Sequence, residues 1–93
     1  DYETMALLRQ APGLLELTWV TVPPESPMVG RTTVELSVRR QTGASVVGVI
    51  RKGAFLPSPG VDYRFQAGDL VAVIGESKQR EAFQSMVSEA RIA

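Results

Sequence analysis

The period of the hydrophobic positions changes several times along the chain, and each change marks a secondary-structure element. Residues 14–22 alternate, with Leu17 and Trp19 on one side and β-branched or polar side chains on the other, which predicts a strand. Residues 46–50 and 70–75 are apolar at nearly every position, which is typical of strands covered on both faces. We expect residues 70–75 at the centre of a sheet, which leaves residues 46–50 to line a subunit interface.

A basic turn follows the apolar run at residues 46–50. Lys52 and Gly53 suit a tight hairpin, since glycine takes a positive φ without steric cost. Residues 54–56 are predicted to form a third strand, which prolines 57 and 59 end. From the residues alone, a solvated charged turn is a better interpretation than an anion pocket with apolar walls.

Helix signals occupy three other stretches. Thr32 and Glu35 have capping-box spacing, so we expect a helix over residues 33–41 that stops at Gly43. Its last turn holds Arg39 and Arg40, where cations suit the helix dipole, and we prefer that role to phosphate binding. A second helix is predicted over residues 78–90 from its apolar stripe, and a shorter one over residues 3–10.

Two further segments are predicted to be non-helical. Three prolines between residues 23 and 27 predict an extended crossover. Residues 63–65 are predicted to form a short extended piece.

The order of elements predicts an α+β domain: a small mixed or antiparallel sheet with two helices, preceded by a short N-terminal linker helix. Residues 1–13 would be a linker or the tail of a preceding segment, and residues 14–93 the domain. Because the chain starts without methionine, we expect a longer parent protein.

The amino-acid composition argues against several classes of function. The 93 residues carry ten basic and ten acidic side chains, and this balance lacks the electrostatic footprint of a nucleic-acid binder. Cysteine and histidine are both absent, which removes the usual zinc ligands, the usual general base and thiol nucleophiles. No catalytic set or metal-ligand spacing emerges, so we expect a protein that is not an enzyme and holds no metal or cofactor.

The ordered set of signals resembles the C-terminal domain of regulators of potassium conductance (RCK_C), also called the TrkA C-terminal domain. The resemblance covers about three quarters of the chain. Thr33 and Phe65 depart from the family pattern by replacing aliphatic residues. The segments that carry it are residues 22–32 (VPPESPMVGRT), 35–39 (ELSVR), 43–53 (GASVVGVIRKG), 57–62 (PSPGVD) and 68–75 (GDLVAVIG).

The resemblance implies a cytoplasmic regulatory domain that senses a ligand, forms homodimers and modulates monovalent cation transport. Such domains belong to potassium channels, Trk/Ktr uptake systems and Kef-like cation:proton antiporters, and usually follow a Rossmann-type nucleotide-binding domain. The membrane would be reached only through the parent transporter or channel. Two alternatives stay open: a purely structural homodimerisation domain without a ligand, and a cytoplasmic domain of a different solute transporter.

The resemblance also implies candidate residues. Some relatives bind cyclic di-AMP across the dimer interface, against the apolar strand and hairpin of both subunits, with Arg51 or Lys52 facing the phosphates. Val47, Val49 and Ile50 are the predicted dimer interface. The predicted ligand-binding residues are Val46, Val47, Arg51, Lys52, Phe55, Leu56 and Pro57.

Overall fold

The computed structural model describes residues 16–88, so the helix predicted over residues 3–10 lies outside the described residues. This part of the chain contains four strands and three helices. The elements are β1 (Glu16–Thr21), α1 (Thr33–Leu36), α2 (Val38–Thr42), β2 (Ser45–Arg51), β3 (Ala54–Pro57), β4 (Leu70–Gly75) and α3 (Ser77–Ser88).

The four strands form one antiparallel sheet in the order β1-β4-β2-β3. The predicted α+β class is therefore confirmed, and β4 is central as expected, although β2 also has a neighbour on each side. A β-bulge interrupts the pairing of β2 with β4 between Val46 and Gly48, and Val47 is the extra residue. Among the described helices, none is long and apolar enough to cross a membrane.

One face of the sheet carries the core. Val71 and Val73 of β4 and Val49 of β2 are fully buried, and they pack with Phe83 and Val87 of α3. The predicted stripe of the last helix thus faces the sheet. Met28 and Phe65 complete the core from loops, and both are fully buried.

The prediction of a single helix over residues 33–41 is wrong. Ser37 takes a left-handed conformation, with φ 50° and ψ 49°, and divides the segment into α1 and α2. The capping box itself is confirmed: the Glu35 amide donates to Thr32 Oγ1 at 3.1 Å, and the Thr32 amide donates to Glu35 Oε1 at 3.2 Å. Gly43 ends α2 with φ 81°.

The proline-rich segment was predicted to be extended, and it instead forms successive turns. The Ser26 amide donates to the Pro23 carbonyl at 3.0 Å, and the Val29 amide to the Ser26 carbonyl at 3.2 Å. These turns place the Met28 side chain in the core, which an extended crossover would not do. Residues 63–65, for which we predict a short extended piece, belong to none of the helices or strands. The hairpin is confirmed, because Lys52 (φ 52°) and Gly53 (φ 81°) both have positive φ.

Candidate functional site: a groove lined by two arginines

The described part of the chain has an open groove of about 440 Å³ beside the start of β2. We call it the arginine groove, because Arg39 and Arg40 of α2 both line it. Val34, Val46 and Pro59 supply an apolar surface. Hydroxyl groups of Thr33, Ser37 and Ser45, with the side chain of Val38, complete the lining.

Arg39 and Arg40 are exposed and make no ion pair with any residue in the described range 16–88. Arginine presents a planar fork of donors that matches phosphate oxygens. Two adjacent guanidinium groups over an apolar surface therefore suit a ligand that combines a phosphate with a flat apolar ring. From the sequence, both arginines are expected to interact with the helix dipole; the groove that they share forms only when the helix packs beside β2.

Two of the three non-glycine residues with positive φ within residues 16–88 lie at this groove. Ser37 lines it, and Ser58 (φ 49°) precedes Pro59. Residues held in the left-handed region cost roughly 1–3 kcal/mol each and cluster at ligand sites. The Ser58 amide donates to the Val47 carbonyl at 3.1 Å, which holds this part of the loop against β2.

Arg51, the predicted phosphate contact, lies outside the groove lining and has an internal partner. Its Nε donates to Asp69 Oδ1 and its Nη2 to Asp69 Oδ2, both at 2.8 Å, and Nη2 also donates to the Arg64 carbonyl at 2.8 Å. The guanidinium carbon lies 4.6 Å from the centroid of the Tyr63 ring. The side chain of Asp69 is 0% exposed, and that of Arg51 is 31% exposed.

The electrostatics of this cluster agree with its geometry. Burial alone would raise the pKa of Asp69, but hydrogen bonds from Arg51, the Gln66 amide and Tyr63 outweigh it, so that its pKa lies below the ordinary value. Burial, together with the hydrogen bond to Asp69, raises the pKa of Tyr63 to about 12. The hydrogen bond to Asp69 raises the pKa of Arg51. The three side chains thus form one internally satisfied set.

The structure distributes the remaining predicted site residues over three places. Val46 lines the arginine groove, and Val47 is the bulge residue beside it. Lys52 is exposed at the hairpin turn, and Phe55, Leu56 and Pro57 are exposed on the edge strand β3. Their role in ligand binding stays a prediction. Val49 is fully buried in the core of its own chain, so its side chain cannot also form the predicted dimer interface.

The second face of the sheet has no helix of the described range on it. Alternation along β4 and the strand register place Leu17, Trp19, Ile50, Phe55, Leu70, Ala72 and Ile74 there; we call this surface the open sheet face. Three of these side chains are large and exposed: Leu17 (50%), Trp19 (44%) and Phe55 (57%). Contiguous apolar surface of this kind marks interaction sites.

Metal binding has less support. Within residues 16–88, no three histidine, cysteine, aspartate or glutamate side chains come together as metal ligands. The perturbed carboxylate, Asp69, is fully occupied by hydrogen bonds from four donor groups: Arg51 Nε and Nη2, the Tyr63 hydroxyl and the Gln66 amide.

The family follows from a match to the TrkA-C domain model over residues 17–88. The chain therefore belongs to the TrkA-C, or RCK_C, family. A curated relative, the uncharacterized transporter YfbS of Escherichia coli K12, is 32% identical over 66 residues, which are 71% of this chain and 10% of YfbS. This chain thus matches a small part of a much longer transporter.

Solved structures give the same fold. The RCK_C domain dimer of S. agalactiae BusR in complex with c-di-AMP is 27% identical, with a TM-score of 0.71, over 76% of this chain and 93% of that one. The GsuK channel is 26% identical with a TM-score of 0.72, over 85% of this chain and 14% of that one. The RCK_C domain of KtrA in complex with c-di-AMP, 19% identical, shares the fold with a TM-score of 0.73, over 90% of this chain and 92% of that one.

Proposed function

We propose that this domain is the ligand-sensing regulatory unit of a cation-transport protein, and that its ligand binds in the arginine groove. The observation that carries the proposal is the pair Arg39 and Arg40, which have no ion-pair partner among residues 16–88 and line an apolar groove. A groove of about 440 Å³ is within the range of small-molecule sites. Binding there changes transport only if the active and inactive states of the parent bind the ligand differently.

The ligand class is a nucleotide with a phosphate, and cyclic di-AMP is the first candidate. The groove offers guanidinium groups for the phosphates and the side chains of Val34, Val46 and Pro59 for an adenine ring. The similar BusR domain was solved with c-di-AMP, and the GsuK channel was solved with NAD. Both compounds combine adenine with phosphate, and the apolar and basic side chains that line the groove suit these two groups.

The domain works as a homodimer, and the open sheet face is the contact surface. The support is physical: Leu17, Trp19 and Phe55 are exposed apolar side chains on a sheet face that no helix within residues 16–88 covers. The few residues that contribute most of the binding energy of an interface are often aromatic and lie near its centre. Ile50, predicted for the interface from the sequence, lies on this face, beside Leu70 and opposite Phe55.

The parent protein is a potassium channel, an uptake system or an antiporter, with this domain on the cytoplasmic side of the membrane and a Rossmann-type domain beside it. The similarity to the GsuK channel supports a potassium-transport parent. The similarity to YfbS keeps a different solute transporter as the alternative. In both cases the role is regulatory, and the perturbed carboxylate Asp69 is engaged by Arg51 rather than free for acid–base chemistry.

A thermal-shift screen of the chain tests the proposal against the structural alternative. Cyclic di-AMP, NAD, inorganic phosphate and divalent cations are each added at increasing concentration. A ligand that binds the folded state raises the melting temperature by mass action, by an amount equivalent to about 2.7 kcal/mol at one hundred times Kd. If none of them changes the melting temperature while the dimer persists, the domain is a dimerisation module without a ligand of this class.

A further inference from the structure

The loop that connects β3 to β4 holds two walls of the arginine groove. We call this loop, residues 58–69, the strap. At its start, Pro59 lines the groove directly. Further along, Arg64 Nη1 donates to Glu35 Oε1 at 3.3 Å and to the Gly30 carbonyl at 2.9 Å. Glu35 belongs to α1, whose residues Thr33 and Val34 form a second wall.

The strap is fastened to the domain near its end. The Phe65 amide donates to the Arg31 carbonyl at 3.0 Å, and the Gly30 amide donates to the Phe65 carbonyl at 2.7 Å. Asp69 closes the strap on itself, because its Oδ2 accepts from both the Gln66 amide and the Tyr63 hydroxyl at 2.9 Å. The strap is thus hydrogen-bonded to the segment that leads into α1 and, through Arg64 and Glu35, to α1 itself.

The Arg51 side chain ties the strap to the sheet, in addition to the backbone hydrogen bond from the Ser58 amide to the Val47 carbonyl. Its guanidinium bonds both carboxylate oxygens of Asp69, bonds the Arg64 carbonyl and lies over the Tyr63 ring. It thus contacts the strap at three residues from a single position at the end of β2. Val46, at the other end of the same strand, lies in the groove.

We propose that Arg51 is a positioning residue for the arginine groove: it sets the groove's affinity by fixing the strap and, through Arg64 and Glu35, the α1 wall, without contacting the ligand. This inference deepens the proposed function and depends on it for the ligand. It also reassigns Arg51, which the family resemblance places at the phosphates. A direct phosphate contact and a positioning role predict different salt dependence, so the two can be separated.

The first test measures the affinity for cyclic di-AMP as a function of salt in the wild-type chain and in Arg51→Gln. Glutamine removes both the charge and the bidentate geometry. We expect Kd to rise about fivefold or more, with the slope of log Kd against log salt unchanged, because the lost charge does not face the ligand. The variant Arg39→Gln should raise Kd and flatten that slope, because it removes a charge that faces the phosphates. A flattened slope in Arg51→Gln, or an unchanged Kd, overturns the positioning role.

The second test needs no ligand and measures the hydrogen-exchange rates of backbone amides in and beside the segments that line the groove. In Arg51→Lys, the amides of Ser37, Ser58 and Phe65 should exchange about tenfold faster than in the wild type, while amides of α3 keep their rates. Tyr63→Phe, which removes one hydrogen bond from the same set, should accelerate the same amides to a smaller extent. A uniform acceleration that includes α3, or no change at Ser37 and Ser58, contradicts the proposal.

Arg80 supplies the matched control for the exchange experiment. Its guanidinium makes three hydrogen bonds, to the Gly75 carbonyl, Thr18 Oγ1 and Glu16 Oε1, at the opposite end of β4 from Arg51. Arg80→Lys should leave the strap amides at wild-type rates. If the wild type does not bind cyclic di-AMP, the ligand assignment in the proposed function fails, and the exchange rates still decide whether Arg51 holds the groove walls.

Discussion

Arg51 and Asp69 are separated by 18 residues in the sequence, and their side chains form a bidentate ion pair in which both N–H···O distances are 2.8 Å. The pair joins the end of β2 to the residue that precedes β4. Because of this pair, Arg51, which the sequence suggests as a ligand contact, is part of the domain's internal structure. The arginines left without an ion pair at the groove, among residues 16–88, are Arg39 and Arg40.

The first prediction concerns the stability that the ion pair provides. Asp69→Asn leaves the Arg51 guanidinium without its counter-charge and should lower the free energy of unfolding by about 3 kcal/mol, since removing one partner of a buried pair is strongly destabilising. Urea unfolding followed by Trp19 fluorescence measures the change. Asp62→Asn, at an exposed position of the same loop, is the control and should stay within about 0.5 kcal/mol of the wild type.

The second prediction is a pH dependence that follows from the same carboxylate. The folded-state pKa of Asp69 lies below its ordinary value of 3.8, so its contribution to stability is complete above that value. The contribution is lost as the pH falls below 3.8 toward the folded-state pKa. Urea midpoints measured between pH 6 and pH 2 should fall more steeply in the wild type than in Asp69→Asn. Parallel curves for the two proteins would show that Asp69 does not carry this dependence.

The third prediction concerns the backbone strain at the groove. Ser37 has φ 50° between α1 and α2, and no side-chain cap hydrogen bond compensates for it. Ser37→Gly should raise the free energy of unfolding by roughly 0.5 kcal/mol, because relief of left-handed strain outweighs the greater flexibility of glycine in the unfolded chain. Chemical denaturation checks the sign. A loss of about 1 kcal/mol, as glycine causes within an ordinary helix, would mean that the conformation is not strained.

The fourth prediction concerns the open sheet face. The double substitution Leu17→Ser and Phe55→Ser removes two exposed apolar side chains and should shift the chain from dimer to monomer at micromolar concentration, with little change in monomer stability. Sedimentation velocity gives the result. Val61→Ser is the matched control, since Val61 is also exposed and apolar but lies on the strap rather than on this face. A dimer that survives the double substitution would place the interface elsewhere.

The elements with a local signal could be predicted from the sequence. The apolar runs gave β2 and β4, the Lys52-Gly53 turn gave the hairpin, and the Thr32–Glu35 spacing gave a helix start. Each of these depends on side chains or backbone preferences within a few residues of one another. The ordered combination was sufficient to recognise the family, which the domain match confirms.

Features that depend on contacts between distant parts of the chain could not be predicted. Aspartate often accepts a hydrogen bond from a nearby backbone amide in a turn, as Asp69 does from the Gln66 amide, but nothing local indicates its pairing with Arg51. The break at Ser37 was hidden because serine is not the residue that usually takes positive φ. The arginine groove combines α1, α2, β2 and the strap, so its lining appears only when these elements pack.

The most direct measurement of the central claim is an isothermal titration of cyclic di-AMP into the chain and into Arg39→Gln/Arg40→Gln. Arg31→Gln serves as control, because Arg31 is likewise exposed and has no ion pair within residues 16–88, but does not line the arginine groove. We predict that the wild type and Arg31→Gln bind with the same Kd and that the double variant binds at least tenfold more weakly. Equal binding by all three proteins would contradict the assignment of the groove.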